Sequence, residues 1–595
     1  MLADAGLQVV LCTPTATPPQ WLVAQDPDML AVGADGRRRH FGSRRHYDFS
    51  SDSYLAQAER ITRAFAERYG QHPAVVAWQL DNEYGCHDTV ISYAPQAVRR
   101  FRLWLQTRYG DIGTLNTAWG NVFWSQEYGG FDAISAPTAT VTEANPAHTL
   151  DYRRFASDEV LRFNRAQCAV LRPLSPGRAL VHNFMQLYTG FDHHAVAADL
   201  DVAAWDSYPL GALEMFWFSE AEKIRWLRTG HPDFAAFHHD LYRGMSAQAF
   251  WVMEQQPGPV NWATWNPAPA AGMVRLWTWE AFAHGADVVS YFRWRQAPFA
   301  QEQMHAGLQT PDRHWDVGAG EAAAVAAELK RVPNQPMHRA AVALVFDYQS
   351  LWAIDVQPQG ADCNGLRMAF EAYSALRSLG LDIDIVAPTA DLSSYALVVL
   401  PAQPLVSAAL CAALVATAAQ VVLYPRAGAK QDTLRMASGG APGVLQALID
   451  IRVQRVESLR PGVQEAVQFE GHAADAGHLA LRWREHLVCG PAVETEATFA
   501  DGGAAIARHG RVRYLAGWFS ADLQREVMLR AALDAGLAAV KLPAGLRLRR
   551  RGGLLFATNY NPQPHTLQVP QAQWLVGGAD VPAHGVCIAR HRPNP

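Results

Sequence analysis

The chain has 595 residues, 49% of them apolar and 18% charged, with a formal net charge of -5. That length supports two or three separately cored domains. The mildly acidic balance gives no footing for nucleic acid or an anionic membrane as a partner. No apolar run approaches the ~18 residues of a membrane helix, and the first residues lack the basic start and long apolar stretch of a secretion signal. The cysteines (Cys12, Cys86, Cys168, Cys363, Cys411, Cys489 and Cys587) are scattered and form no CxxC pair. That pattern disfavours a zinc ribbon, a disulfide framework or thioredoxin chemistry, and it points to a reducing cytoplasm.

In chain order, short apolar runs predict strands at Leu7–Cys12, Val75–Leu80, Leu180–Met185, Val202–Asp206, Phe250–Met253 and Val288–Phe292. Helical patterns such as Tyr54–Tyr69 and Asp158–Arg172 lie between them. This alternation predicts an α/β fold with a parallel sheet, most economically a (β/α)8 barrel over residues 1–330, although only six of the eight strands are found. A second alternation takes in strands Ala340–Phe346, Ala396–Leu400 and Gln420–Tyr424 and helices Gly365–Leu379 and Ser407–Ala418. It predicts a smaller open α/β domain over residues 337–540, of flavodoxin or amidotransferase type. Short extended runs and turn signals around Gly553–Val569 predict a small β domain over residues 543–595.

Two glutamates stand out. Glu83 closes the string VVAWQLDNEYG (Val75–Gly85), and Glu254 follows the wholly apolar FWVM in FWVMEQQPG (Phe250–Gly258). A buried parallel strand that turns polar at its C-terminal end delivers catalytic side chains in this way. An isolated Asn-Glu pair is more often a helix cap, but the long unusual context argues for function. Two carboxylates suffice to cleave a glycosidic bond, with retention at a separation of about 5 Å and inversion at roughly 6.5–9.5 Å. Nineteen tryptophans suit the apolar faces of sugars, though indoles fill cores equally well.

Seven strings together resemble the glycoside hydrolase family 42 β-galactosidases: TPTATPPQWL (Thr13–Leu22), RRHYDF (Arg44–Phe49), WQLDNEYG, AWGNVFWSQEY (Ala118–Tyr128), WDSYP (Trp205–Pro209), MEQQPGPVNW (Met253–Trp262) and YFRWRQAPFAQEQMHAGL (Tyr291–Leu308). The resemblance implies that Glu83 is the acid/base and Glu254 the nucleophile of a retaining β-galactosidase. It further implies that Arg44, Asn82, Trp262, Glu302 and His305 bind the galactose, that Trp124 lines the leaving-group side, and that Tyr208 is a weaker candidate for steadying the nucleophile. It also implies a homotrimer assembled through the middle domain. Without the resemblance, Arg44 and its neighbour Arg45 would be read as partners of surface carboxylates.

Two departures qualify the expectation. Many relatives hold a zinc ion through four cysteines, whereas the matching positions here are Asp48, Ser92, Ala94 and Ala97, so no metal or other cofactor is expected. Relatives also carry two further βα units ahead of the TPTATPP string, which accounts for the six strands and opens the prospect of a poorly active, truncated remnant. Sister specificities, β-fucosidase or α-L-arabinopyranosidase, differ from the galactosidase reading only around C6 of the sugar. Amidotransferase chemistry in the middle domain is excluded, because Cys411 lies in a helical run rather than on a nucleophile turn.

Overall fold

The computed structural model describes residues 1–246, 250–473 and 475–590. It divides into two compact units. The first is Met1–Ala203 with Tyr348–Pro358 and Lys430–Ser438; the second is Ala204–Asp347 with Gln359–Ala429 and Gly439–Pro595.

In the first unit, β1 (Val9–Cys12), β2 (Val75–Gln79) and β3 (Ala179–Met185) run parallel, with Leu11 opposite Trp78 and Trp78 opposite Leu180. A parallel strand covered on both faces must be apolar throughout, and Ala66, Cys168 and Leu171 pack on Val75, Trp78 and Leu180. Those covering residues come from helices Asp52–Tyr69 and Pro146–Leu174. The first of these starts where the Ser51 hydroxyl accepts the Tyr54 N–H, satisfying a donor that the first turn leaves open. The second is far longer than the predicted Asp158–Arg172, because Pro146 suits a first helical turn and Asn145 caps it.

In the second unit, β4 (Val202–Ser207, most of it in this unit), β5 (Phe250–Gln255) and β6 (Ala286–Tyr291) are again parallel, with Ala204 opposite Trp251 and Phe250 opposite Ala286. The six parallel strands with their intervening helices are of (β/α)8-barrel type. β5 runs two residues beyond its predicted end, so Glu254 lies within the strand rather than after it.

The middle region is larger than the small open sheet that was expected. Its parallel core, β7 (Val342–Val345), β8 (Ile383–Val386), β9 (Leu397–Leu400) and β10 (Gln420–Leu423), runs in the order β10-β9-β7-β8 within an eleven-stranded sheet. The remaining strands extend from Ile451–Ser458 to Gly517–Phe519 and pair mostly antiparallel. In the first of them, Ile451–Ser458 and Glu465–Phe469, exposed polar residues alternate with buried or half-buried ones, so no apolar run marked them in the sequence. A four-stranded antiparallel sheet that includes Leu546–Arg551 and Gly585–Arg590 closes the chain.

A buried ionic cluster ties parts of the second unit together. Arg547, on strand Leu546–Arg551, donates to both oxygens of Asp233 at 2.6 and 2.7 Å. Arg549 and Arg243 flank Asp240, while Tyr560 donates to Glu280 at 2.7 Å. Burial is the largest influence on Asp233 and pushes its carboxyl up, but Arg547, His231 and Arg377 together outweigh it and hold it below the usual range. Burial wins at Glu280, which is raised to about 7.

Candidate active site

The first unit holds Glu83 on a turn that its neighbours tie down at almost every atom. Beyond β2 the backbone enters the left-handed region at Asp81 (φ 54°) and at Glu83 itself (φ 44°). Non-glycine residues rarely adopt this conformation, and it persists where the surroundings fix it. The fixing bonds are short: the Asp81 N–H donates to Thr13 Oγ1 at 2.7 Å, and the Glu83 N–H to Asn183 Oδ1 at 3.1 Å. The Tyr84 N–H donates to His182 Nε2 at 3.2 Å, and the other His182 nitrogen meets the Leu80 carbonyl at 2.8 Å. Burial lowers His182 to about 3, so the ring is neutral and its two nitrogens take opposite roles. Gly85 completes the turn at φ 77°, where a Cβ would meet Val90 Cγ2 at 2.2 Å.

On that turn the Glu83 Oε2 accepts from Arg44 Nη2 at 3.1 Å and from Asn82 Nδ2 at 3.3 Å. The Asn82 carbonyl oxygen in turn accepts from Asn183 at 2.9 Å and from Gln79 at 3.2 Å. Three of the sequence-derived candidates, Arg44, Asn82 and Glu83, therefore form one cluster in this unit. Trp124 lies elsewhere in it, on the turn Phe123–Ser125.

Arg45 is the correction. It was read as the partner of a surface carboxylate, yet it is 1% exposed and pairs with the buried Asp81. Asp81 also accepts from Thr15 Oγ1 at 2.6 Å and from the Tyr47 hydroxyl at 3.3 Å. A cation can be withdrawn from water only against a matched and further hydrogen-bonded anion, and Asp81 meets that condition.

In the second unit, Asp206 stands opposite Glu254, and the β5 ladder loses regular register between Val252 and Gln255. Such irregularities re-aim a side chain at a strand end. The Tyr208 hydroxyl donates to Glu254 Oε2, and its ring meets those of Trp262 at 5.7 Å and His305 at 5.6 Å, both edge-on. Burial lowers the His305 ring below its ordinary value, keeping it neutral. Glu302 is held by Arg293, whose guanidinium lies 4.4 Å from the Phe292 ring centre. Tyr208, Trp262 and His305 thus gather beside Glu254, with Glu302 fixed by a residue the sequence reading did not single out.

Asn183, His182 and Arg293 escaped the sequence reading, which noted Asp81 only as a neighbour of Glu83 at the strand end. The signal for the first two was present, since the polar pair His182-Asn183 interrupts the apolar β3 (ALVHNFM).

The positions matching the family's zinc cysteines do not fit a zinc ion. Asp48 accepts from the Ser50 N–H at 2.8 Å and from Gln96 at 3.1 Å, and the Ser92 hydroxyl accepts from Val32 and Ala94 N–H groups. Ala94 and Ala97 offer no ligand atom.

A family model described as β-galactosidase matches residues 1–332, and one described as β-galactosidase trimerisation domain matches residues 340–538. A β-galactosidase from a Thermus species is 52% identical over 589 residues, covering 99% of this chain and 90% of its own. One from Halorubrum lacusprofundi is 41% identical, covering 94% of this chain and 83% of its own. The crystal structure of the β-galactosidase from the psychrophilic Marinomonas ef1 superposes with a TM-score of 0.96 at 46% identity, covering 99% of this chain and 91% of that one. The chain belongs to the glycoside hydrolase family 42 β-galactosidases.

Proposed function

We propose that Glu254 attacks the anomeric carbon of a terminal non-reducing β-D-galactosyl residue while Glu83 protonates the departing oxygen. The chain is a glycoside hydrolase, a β-galactosidase of the retaining type. In the first step the C1–O bond breaks, the proton of Glu83 passes to the leaving group, and a covalent ester forms on Glu254. In the second step Glu83, now ionised, takes a proton from water; the water oxygen attacks C1 and releases Glu254. The observation that carries the reading is the pairing of Tyr208 with Glu254. One carboxylate oxygen is held by a phenol, which orients the group.

Arg44, Asn82, Trp262, Glu302 and His305 are then the galactose ligands, with Trp124 on the leaving-group side. Arg44 and Glu302 offer charge-assisted bonds, Asn82 an amide, His305 a neutral imidazole and Trp262 an apolar face to a polyhydroxylated ring. The test is direct. Glu254→Gln and Glu83→Gln should each remove at least about 99% of turnover of an aryl β-galactoside. Azide should restore the Glu83 variant to a β-galactosyl azide product, and a product of inverted configuration would refute the roles. A panel of aryl β-fucosides and α-L-arabinopyranosides fixes the sugar.

The match of residues 340–538 to a trimerisation domain supports a homotrimer, to be measured by light scattering. Residues 1–330, 337–540 and 543–595 are the working domains. Scattered cysteines with no CxxC pair suit a reducing cytoplasm. No helix among the described residues is long and apolar enough to cross a membrane. The residues that replace the zinc cysteines support a protein working without that metal.

A further inference from the structure

The segment Lys430–Ser438 lies within the sequence matched by the trimerisation-domain model, yet it packs as part of the first unit, while the residues on either side of it belong to the second. Two of its side chains reach helices of the first unit. Asp432 accepts from Arg108 Nη2 through Oδ2 and from Arg154 Nη2 through Oδ1, each at 2.6 Å. The Arg435 guanidinium donates to the Thr117 carbonyl in the last turn of helix Ile112–Trp119. A cation there meets carbonyls that the helix end leaves without intrahelical partners.

From Asp432 a run of hydrogen bonds leads inward to Trp119. Arg154 is buried; its Nε donates to Gln349 at 2.9 Å and its Nη1 to the buried Asp151 at 3.0 Å. A guanidinium so far from water needs matched acceptors, and Asp432 supplies a second charge beside Asp151. Asp151 in turn accepts from the Trp119 Nε1–H at 2.9 Å and from the Tyr109 hydroxyl at 2.5 Å. The Trp119 carbonyl accepts from Asn145 Nδ2 at 3.0 Å, and the same amide donates to Asn121 Oδ1 at 3.0 Å. Beyond Gly120 (φ 68°) the chain turns back on itself. The Phe123 N–H donates to the Gly120 carbonyl at 3.1 Å, and the Gln126 N–H to the Asn121 carbonyl at 2.7 Å. That turn carries Trp124, which is 68% exposed. So exposed a side chain has little packing of its own to fix it, and its place follows the helix end that Trp119 anchors.

We propose that Asp432 is a positioning residue for the leaving-group side. Through Arg154, Asp151 and Trp119 it sets the place of the turn that carries Trp124, and Arg435 works with it from the helix end. The inference rests on the reading of Trp124 as a leaving-group contact. It makes Lys430–Ser438 a specificity-determining segment, although that segment lies outside the residues matched by the β-galactosidase model.

The test compares kcat/KM on lactose, whose leaving group is a sugar, with kcat/KM on β-D-galactosyl fluoride, whose leaving group is a single atom with no face for Trp124 to meet. Asp432→Ala should lower the lactose-to-fluoride ratio about tenfold, with hydrolysis of the fluoride within about twofold of the parent. Asp432→Glu should restore most of the ratio. Trp124→Ala should lower the same ratio, and the double variant should fall no further than Trp124→Ala alone, since both act on one contact. Damage to the fold would lower both substrates by one factor and leave the ratio at the parent's value. That result in Asp432→Ala, beside a lowered ratio in Trp124→Ala, would overturn the proposal, as would effects that multiply in the double variant. A parent-like ratio in Trp124→Ala would overturn the reading of Trp124 and the proposal with it. If Asp432→Ala fails to fold, Arg435→Ala, on an exposed side chain, takes its place in the same cycle.

Discussion

Arg45 Nη1 donates to Asp81 Oδ1 at 2.9 Å, and neither side chain is more than 1% exposed. Breaking one side of such a pair strands a charge where water cannot reach it. Asp81→Asn should therefore cost about 3–5 kcal/mol of stability, read from the urea midpoint. It should also lower turnover, because Asp81 Oδ1 accepts the Asn82 N–H at 2.7 Å. A variant as stable and active as the parent would show that the turn carrying Glu83 is held by its other bonds alone.

Tyr208→Phe removes the hydroxyl that donates to Glu254 and leaves the ring contacts in place. A hydrogen bond to a charged group contributes about 1.5–3 kcal/mol, so kcat/KM should fall roughly 10- to 150-fold. The urea midpoint should hardly move. Loss of fold in place of loss of rate would assign Tyr208 a packing role.

Arg293→Ala frees Glu302 from its guanidinium partner. If Glu302 grips a galactose hydroxyl, KM should rise about tenfold while kcat changes less. An equal fall in kcat at constant KM would place Glu302 in the chemical step instead.

How far the sequence reading carried can be judged on these same residues. Glu83 and Glu254 stood out because each follows an apolar run that turns polar, an interruption visible in one dimension, whereas Arg44 and Asn82 were singled out only through the family resemblance. Arg45 was misread because nothing local distinguishes a buried arginine from an exposed one. Its partner Asp81 is 36 residues away, and the pairing exists only once β1, β2 and the loop before Asp52 are assembled. The six parallel strands were found because each carries a short apolar run, most deeply buried in β2, β3 and β4. The first antiparallel strands after Ile451 were missed because charged and polar residues interrupt their apolar ones, as in Ile451–Ser458 and Glu465–Phe469, where several residues are exposed.

Glu280 gives a pH signature. The folded value is raised to about 7, whereas an unfolded glutamate titrates near 4.3. The folded chain therefore binds this proton more tightly. The stability from Glu280 is fully present below the unfolded value and is lost as pH climbs toward about 7. Relative to Glu280→Gln, the parent should lose stability across that window, as measured by urea midpoints at successive pH values. A difference that stays flat would refute the shift.

Dialysis against a chelator should leave melting temperature and activity unchanged if the Asp48 and Ser92 hydrogen bonds replace the family's metal. Asp48→Ala should cost about 1–3 kcal/mol, since the Ser50 N–H and Gln96 lose their acceptor. Sensitivity to chelation would reveal a metal elsewhere.

The guanidinium that neutralises Asp233 arrives 314 residues later in the chain, on Arg547. During synthesis, the helices that bear Asp233, Asp240 and Glu280 emerge from the ribosome long before the strand that supplies Arg547 and Arg549. Their carboxylates must wait, hydrated or protonated, in a region unable to close. The strand Leu546–Arg551 is therefore part of the second unit's core, and the cluster around Asp233 and Asp240 is complete only with it in place.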